Sequence, residues 1–176
     1  MRQARLLPEC ATLQKSDIFK RQLECRTLNV TLMRITRENF DDVIELELEP
    51  SQESILPSNV FSIAESTLSD TFHPRAICLD GTVVGFVMYQ FGEVGDFDEN
   101  ECTIWRLMVD RSQQNKGIGK IAMGLVLGEI RSHNRCKLVD IYYDAENTVA
   151  RKLYAKFDFK EVGHRDDGDI IAERPI

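Results

Sequence analysis

The stretch Gln114-Asn115-Lys116-Gly117-Ile118-Gly119-Lys120 places two glycines, two lysines and a pair of amides directly ahead of an apolar run. Such a loop suits an anion. The first N–H groups of a helix lack internal acceptors, and the helix dipole adds partial positive charge there. Glycine removes the Cβ that would keep an anion off the backbone. Ile118, Ile121, Ala122, Leu125 and Val126 form one stripe at helical spacing, which predicts a helix from about Gly117 to Ser132. The same glycines could equally do no more than shape a turn. Two nucleotide-binding patterns fail on their surroundings. "GIGKIA" fits G-x-G-x-x-G/A, but it follows several strands and Asp140 lies inside its strand instead of at the end. "GIGK" matches the end of a P-loop, yet Gln114 stands where the first glycine belongs and Ile121 replaces Ser/Thr.

A second group of residues lies some 30 positions on, in "ENTVARKLYAKFDF". Tyr154 carries a phenol that can donate a proton, and Asn147 is placed to cap a helix. Val149, Ala150, Leu153, Tyr154 and Phe157 share one face, so by spacing alone a core tyrosine fits as well as an acid. A third group is acidic: Glu93, Asp96, Asp98, Glu99 and Glu101, with no basic residue between. It reads as a solvated loop or as an attractor for a polycation. Glu101 lies four residues before Trp105 and shares its strand face by alternation. It is a candidate base acting through water, a cation binder, or a solvated loop acid. His73, His133 and His164 are scattered and read as surface residues, and no metal-ligand cluster is visible.

The elements that must position these groups follow from pattern. Leu28–Ile35 reads as a strand, Thr36 to about Leu48 as a helix, and Ser58 to Thr71 as another. Pro50 and Pro57 bracket a loop. "AICLD" and "TVVGFVMYQF" flank Asp80-Gly81, a strong hairpin signal. Cys102–Val109 and Lys137–Tyr143 are strands, Asn147–Phe157 is a helix, and two short strands close the chain. Strand–helix alternation in the second half implies parallel crossovers, and the hairpin implies antiparallel pairing. The expected fold is therefore α/β with a mixed sheet (α+β in its antiparallel part), covered by helices.

The chain of 176 residues is long enough for one domain with a proper core. No apolar run approaches a membrane span. A formal net charge of −7 argues against nucleic acid as the partner and suits a cationic small molecule. Five widely spaced cysteines without C-x-x-C spacing point to reduced thiols and a cytoplasmic location. The first 34 residues carry seven Lys/Arg against three Asp/Glu. Residues 1–30 are read as an appendage ahead of a working domain at 31–176.

The Q-x-x-G-x-G form of Gln114–Gly119 follows a strand ending "RLMVD" and precedes an amphipathic helix. With "ENTVARKLYAKFDF" after it, this resembles the GNAT superfamily of N-acetyltransferases, whose second motif reads N-x-x-A-x-x-L-Y-x-x-x-G-F. The two motifs span about a third of the chain, from Ile104 to Val162. "GTVVGFVMYQF" ahead of an acidic loop is similar to the spermidine/spermine (diamine) type. The resemblance implies acetyl-CoA as cofactor, its pyrophosphate cradled by Gln114, Asn115, Lys116, Gly117, Ile118, Gly119 and Lys120. It implies that Leu107, Met108 and Val109 pair with the pantetheine arm, that peptide N–H groups near Leu107 or Met108 serve the oxyanion, and that Asn147 bonds the arm. The two central parallel strands would splay to admit it. Tyr154 would protonate the leaving thiolate and also contact the cofactor, and a homodimer is common in such proteins. The acceptor would be a primary amine such as spermidine or spermine. A protein or peptide amine, or a non-catalytic acetyl-CoA-binding module, are the rival readings. Two departures stand out: Ile104-Trp105-Arg106 lacks an acid, and Asp158 replaces glycine before Phe159.

Overall fold

The computed structural model describes residues 28–52, 55–93 and 99–176. The appendage, apart from its last three residues, and the acidic positions Asp96 and Asp98 lie outside the described residues.

Seven strands form one sheet in the order β1-β2-β3-β4-β5-β7-β6. They are β1 (Val30–Arg34), β2 (Phe72–Leu79), β3 (Thr82–Phe91), β4 (Glu101–Val109), β5 (Leu138–Tyr143), β6 (Lys160–His164) and β7 (Ile170–Pro175). All pairings are antiparallel except β4 with β5, so the sheet is mixed, as expected. Among the described residues four α-helices cover it: α1 (Phe40–Ile44), α2 (Asn59–Glu65), α3 (Ile118–His133) and α4 (Thr148–Ala155).

Alternation along the strands divides the core. On one face Ile77, Val87, Tyr89, Ile104, Val139 and Ile141 meet α3 and α4 through Ile118, Met123, Val126, Ala150 and Tyr154. On the other, Ala76, Phe86, Met88 and Met108 meet Val43 of α1, with Leu46, Leu48 and Ile63 packed around them. The β2–β3 turn carries Asp80 at φ 50° and Gly81 at φ 86°, the doubly left-handed turn that matches strand twist. Strand β2 starts earlier than "AICLD" and contains Pro74. That residue lies beyond the last β1 pair, at Arg75, so its missing N–H interrupts no β1–β2 bond.

The two early helices are shorter than periodicity predicts. Asn39, not Thr36, precedes α1, because its Oδ1 accepts from the Thr36 N–H at 2.8 Å and closes a turn instead. The helix stops at Ile44 because "ELELE" alternates, sending Leu46 and Leu48 to the core at period two. Ser58 caps helix α2, but Ser66 and Thr67 hydroxyls donate back to Ile63 and Ala64 carbonyls and the helix tightens into a 3₁₀ turn. Among the described residues no helix is long and apolar enough to cross a membrane, and no group of three or more His, Cys, Asp or Glu could hold a metal.

Candidate active site

The site begins where β4 and β5 part. Their parallel pairing runs from Glu101–Leu138 to Ile104–Ile141 and stops, while β4 continues to Val109. A bulge accompanies the parting. The β3–β4 register slips between Met88 and Tyr89, leaving Trp105 as an extra residue on β4. The bulge also inverts the alternation. Ile104 faces α3, then Trp105 and Arg106 both turn toward the α1–α2 face, and Leu107 returns to the α3 side. Arg106 anchors this turn by donating to Ser62 Oγ and Glu65 Oε2, each at 3.3 Å. Bulges bend a strand and raise its local twist, so β4 leaves β5 at this point. Beyond Ile104 the β5-facing edge of β4 has no strand partner among the described residues, which leaves main-chain groups for an added extended chain.

A cleft of about 690 Å³ opens in the gap and reaches both faces of the sheet. Of the residues expected at the site, Leu107, Met108, Val109, Gln114, Asn115, Gly117, Ile118, Gly119, Lys120, Asn147 and Tyr154 line it. Lys116 does not; its Nζ donates to the Ser112 carbonyl and Gln113 Oε1, both at 2.9 Å, and braces the loop from outside. Glu101 lines a separate pocket of about 290 Å³ with Gln90, Glu93 and Thr103. Trp105 is the wall common to both cavities. Glu101 and Tyr154 are therefore not brought together.

The glycine loop has the geometry of an anion cradle. Asn115 and Gly117 take φ 61° and 84°, and no side chain caps α3 at Gly117. Alternating left-handed residues turn successive N–H groups toward one side. A Cβ built on Gly117 meets nothing within 4 Å, so the approach is open. Gln114 Nε2 pins the loop, donating to the Val109 carbonyl at 3.1 Å and to Gln52 Oε1 at 2.8 Å. Asp110 holds its other end, accepting from the Glu47 and Ser112 N–H groups at 3.0 and 2.9 Å. Burial would raise the Asp110 pKa, but these donors prevail and hold it below the usual carboxylate range.

Tyr154 is 8% exposed, with its ring 5.2 Å from Tyr143 and 5.9 Å from Phe159. Burial first, and the neighbouring Tyr143 second, push its phenol above the ordinary range, so it stays protonated at neutral pH. Asn147 Oδ1 accepts from the Ala150 N–H at 3.0 Å and caps α4 as its position predicts. Asp158 enters the left-handed region at φ 64°, so the turn survives without glycine.

Several residues of the cleft carried no signal on their own. Tyr142 lines it with its ring 6.1 Å from Trp105, and the Arg165 guanidinium lies 4.7 Å from the Tyr142 ring centre. Asp144, Asp167 and Asp169 add carboxylates to the lining. Burial, then Asp167 and Asp144, raise the Asp169 pKa. The one available clue was an aspartate inside the apolar strand "KLVDIYY". His73 also differs from its surface reading. Its ring stacks on Tyr89 at 4.9 Å and packs against Phe91 and His133, and it does not line the cleft.

A glycine-loop helix thus faces a strand that has split from its parallel neighbour. The Acetyltransferase (GNAT) family matches residues 40–159, and the chain belongs to it. It is an acetyltransferase. A spermine/spermidine N(1)-acetyltransferase of Bacillus subtilis is 23% identical over 141 residues, covering 79% of this chain and 93% of that protein. In fold, the chain resembles an aminoglycoside acetyltransferase solved with coenzyme A. The TM-score is 0.69 and the identity 16%, over 84% of this chain and 95% of that one. An N-acetyltransferase of Thermoplasma acidophilum, also solved with coenzyme A, gives a TM-score of 0.63 at 18% identity over 84% and 99%.

Proposed function

We propose that the protein transfers an acetyl group from acetyl-CoA to a primary amine of a small polycation, spermidine or spermine being the leading candidates. The cleft through the sheet carries this reading, with an uncapped helix start and Tyr154 toward one face and Trp105 and Tyr142 toward the other. The residues present fit the cofactor. The open φ-positive Gly117 and the first-turn N–H groups of α3 suit a pyrophosphate, Lys120 adds charge, and the bare edge of β4 suits an amide-bearing arm. When bound, acetyl-CoA supplies an acetyl group activated as a thioester.

The chain's own residues have three tasks. An alkyl amine of pKa about 10.4 is roughly one part in 2,500 neutral at pH 7, a penalty of about 4.6 kcal/mol, so a proton must be removed. Peptide N–H groups near Leu107 or Met108 on the bare β4 edge face charge that develops on the acetyl oxygen. Tyr154, kept protonated by burial, donates to the departing sulfur. Asp144, Asp167 and Asp169 supply negative charge for a cationic acceptor, and the similarity to a polyamine acetyltransferase points the same way.

A thiol-release assay over a panel of amines tests the reading. Turnover with spermidine or spermine is expected; none with any polyamine would remove that acceptor class. Competition between spermidine and a lysine peptide separates a small acceptor from a protein one. Cofactor binding with no transfer to any amine would favour a non-catalytic binding module.

A further inference from the structure

Trp105 is the extra residue of the β4 bulge, without a partner across the β3 ladder, and a bulge re-aims the side chain it carries. Its Nε1 donates to Gln90 Oε1 at 2.9 Å, and Gln90 lines the smaller pocket but not the cleft. An indole has no other polar group, so what it offers the cleft is ring carbon. Gln90 is itself held. Its Nε2 donates to Thr71 Oγ1 at 3.2 Å, the Thr71 and Ser69 hydroxyls lie 2.9 Å apart, and Ser69 Oγ donates to Glu93 Oε1 at 2.9 Å. With the Ser69 proton committed to Glu93, Thr71 must donate to Ser69. Every donor from Trp105 onward therefore points the same way and the chain ends on a carboxylate. Hydrogen bonds aligned like this strengthen one another, so the indole is held more firmly than by one bond. Across the gap the Tyr142 ring lies 6.1 Å from it, with the planes inclined by 53°, so the two rings form a wedge in the cleft wall. Both rings already receive cations of the chain. The Arg106 guanidinium lies 5.9 Å from the Trp105 ring centre and that of Arg165 4.7 Å from the Tyr142 ring centre.

We propose that Trp105 and Tyr142 seat the reacting end of the acceptor, the alkyl stem next to its primary amine, and that Gln90 is the positioning residue that fixes Trp105 for this contact. The inference rests on the cleft being the site of amine acetylation. An aromatic seat suits that step better than a carboxylate. A carboxylate against the reacting nitrogen would stabilise the ammonium and raise its pKa, which adds to the penalty of removing the proton. A ring face grips the methylenes beside the nitrogen in either protonation state, and adds cation–π attraction while the charge lasts. Asp144, Asp167 and Asp169 of the same lining are then left for an ammonium farther along the acceptor. The wedge reads the alkylamine end, and the carboxylates read whether a second charge follows it. Without the Gln90 oxygen the indole N–H loses its acceptor and the ring is free to turn between the two cavities it separates.

The experiment combines steady-state kinetics with the fluorescence of Trp105, the one tryptophan in the chain. The acceptors are an alkyl monoamine and an alkyl diamine of equal length. Trp105→Leu should raise KM for both amines about tenfold and leave KM for acetyl-CoA unchanged. Gln90→Met, which keeps the volume and removes the acceptor oxygen, should raise both amine KM values about threefold, again without touching KM for acetyl-CoA. With coenzyme A present, titrating wild type with the diamine should change Trp105 emission saturably, and Gln90→Met should need about threefold more diamine. The titration and Gln90→Met decide the matter if Trp105→Leu does not fold. Unchanged amine KM values, an equal rise in KM for acetyl-CoA, a rise confined to the diamine, or flat emission in a protein that turns over would each overturn the proposal alone. Wild type that acetylates no amine would overturn the acetylation reading beneath it. A saturable emission change would then still uphold the seat, and a flat one would remove both.

Discussion

The two halves of the sheet handle backbone hydrogen bonding in opposite ways. From β1 to β4 the strands are antiparallel and paired along nearly their whole lengths, with Tyr89, Phe86 and Ile77 wholly buried against helices on either face. From β4 to β5 the ladder is parallel and ends at Ile104–Ile141. The closed half gives rigidity, since its polar backbone is satisfied internally. The open seam leaves main-chain groups for a ligand, and Tyr154, Tyr142 and Asp140 gather around it. The cleft opens in the part left unfinished, which is held in place by the part that is complete.

The largest expected effect comes from forcing the closed half. A Cβ on Gly85 would lie 2.5 Å from the Met108 carbonyl oxygen, a backbone atom that cannot yield without moving β4. Gly85→Ala should cost about 1–3 kcal/mol in denaturant unfolding, as overpacking does, and should lower activity with it because Met108 lines the cleft. Unchanged stability would show that β4 is less firmly set than the pairing implies. Tyr154→Phe acts on the seam. It should cut kcat tenfold or more while leaving the KM for acetyl-CoA nearly constant, and an undiminished kcat would remove Tyr154 as the acid.

Gly117→Ala should be milder. No atom obstructs the added methyl, so the cost is the left-handed backbone alone, about 1–2 kcal/mol, together with weaker coenzyme A binding by calorimetry. Gly119 has ordinary φ and a 3.7 Å neighbour in Val109, so Gly119→Ala is the contrasting variant expected to leave stability nearly unchanged. The smallest effect concerns His73. Burial, then the nearby Arg75 and His133 charges, depress its pKa from 6.5 to about 4, and its Nε2 is buried without a hydrogen-bond partner among the described residues. The unfolded chain binds the proton more readily across that window. Stability should therefore be complete above about pH 6.5 and fall as pH drops toward 4. A melting-temperature series should show this slope in wild type and a flatter one in His73→Phe. Identical slopes would mean that His73 is already accessible in the folded state.

Much of the site was legible because its parts are contiguous. The loop of Gln114–Lys120 and the Asn147–Tyr154 helix each depend on local rules of capping, glycine freedom and helical stripe, and of the site residues expected there all but Lys116 line the cleft. Helix α1 was overextended because "ELELE" has a composition that suits either period, and the core at Leu46 and Leu48 chose the extended one. Glu101 was placed by simple alternation with Trp105. It does share that face, but the cavity behind it is the smaller one and not the one that holds Tyr154.

The sequence alone determined the mixed fold, the glycine loop ahead of its helix and the tyrosine on another, since these follow from spacings of a few residues along one element. Only the tertiary structure decided that β4 bulges at Trp105, that the cleft passes between both faces, and that Asp140 accepts from Thr103 at the seam. Those features arise from pairing across the ladders, of Tyr89 with Ile104 in one and of Thr103 with Asp140 in the other. Local pattern records which way a side chain points along its own strand, but the neighbour across the ladder is set by the register of the whole sheet.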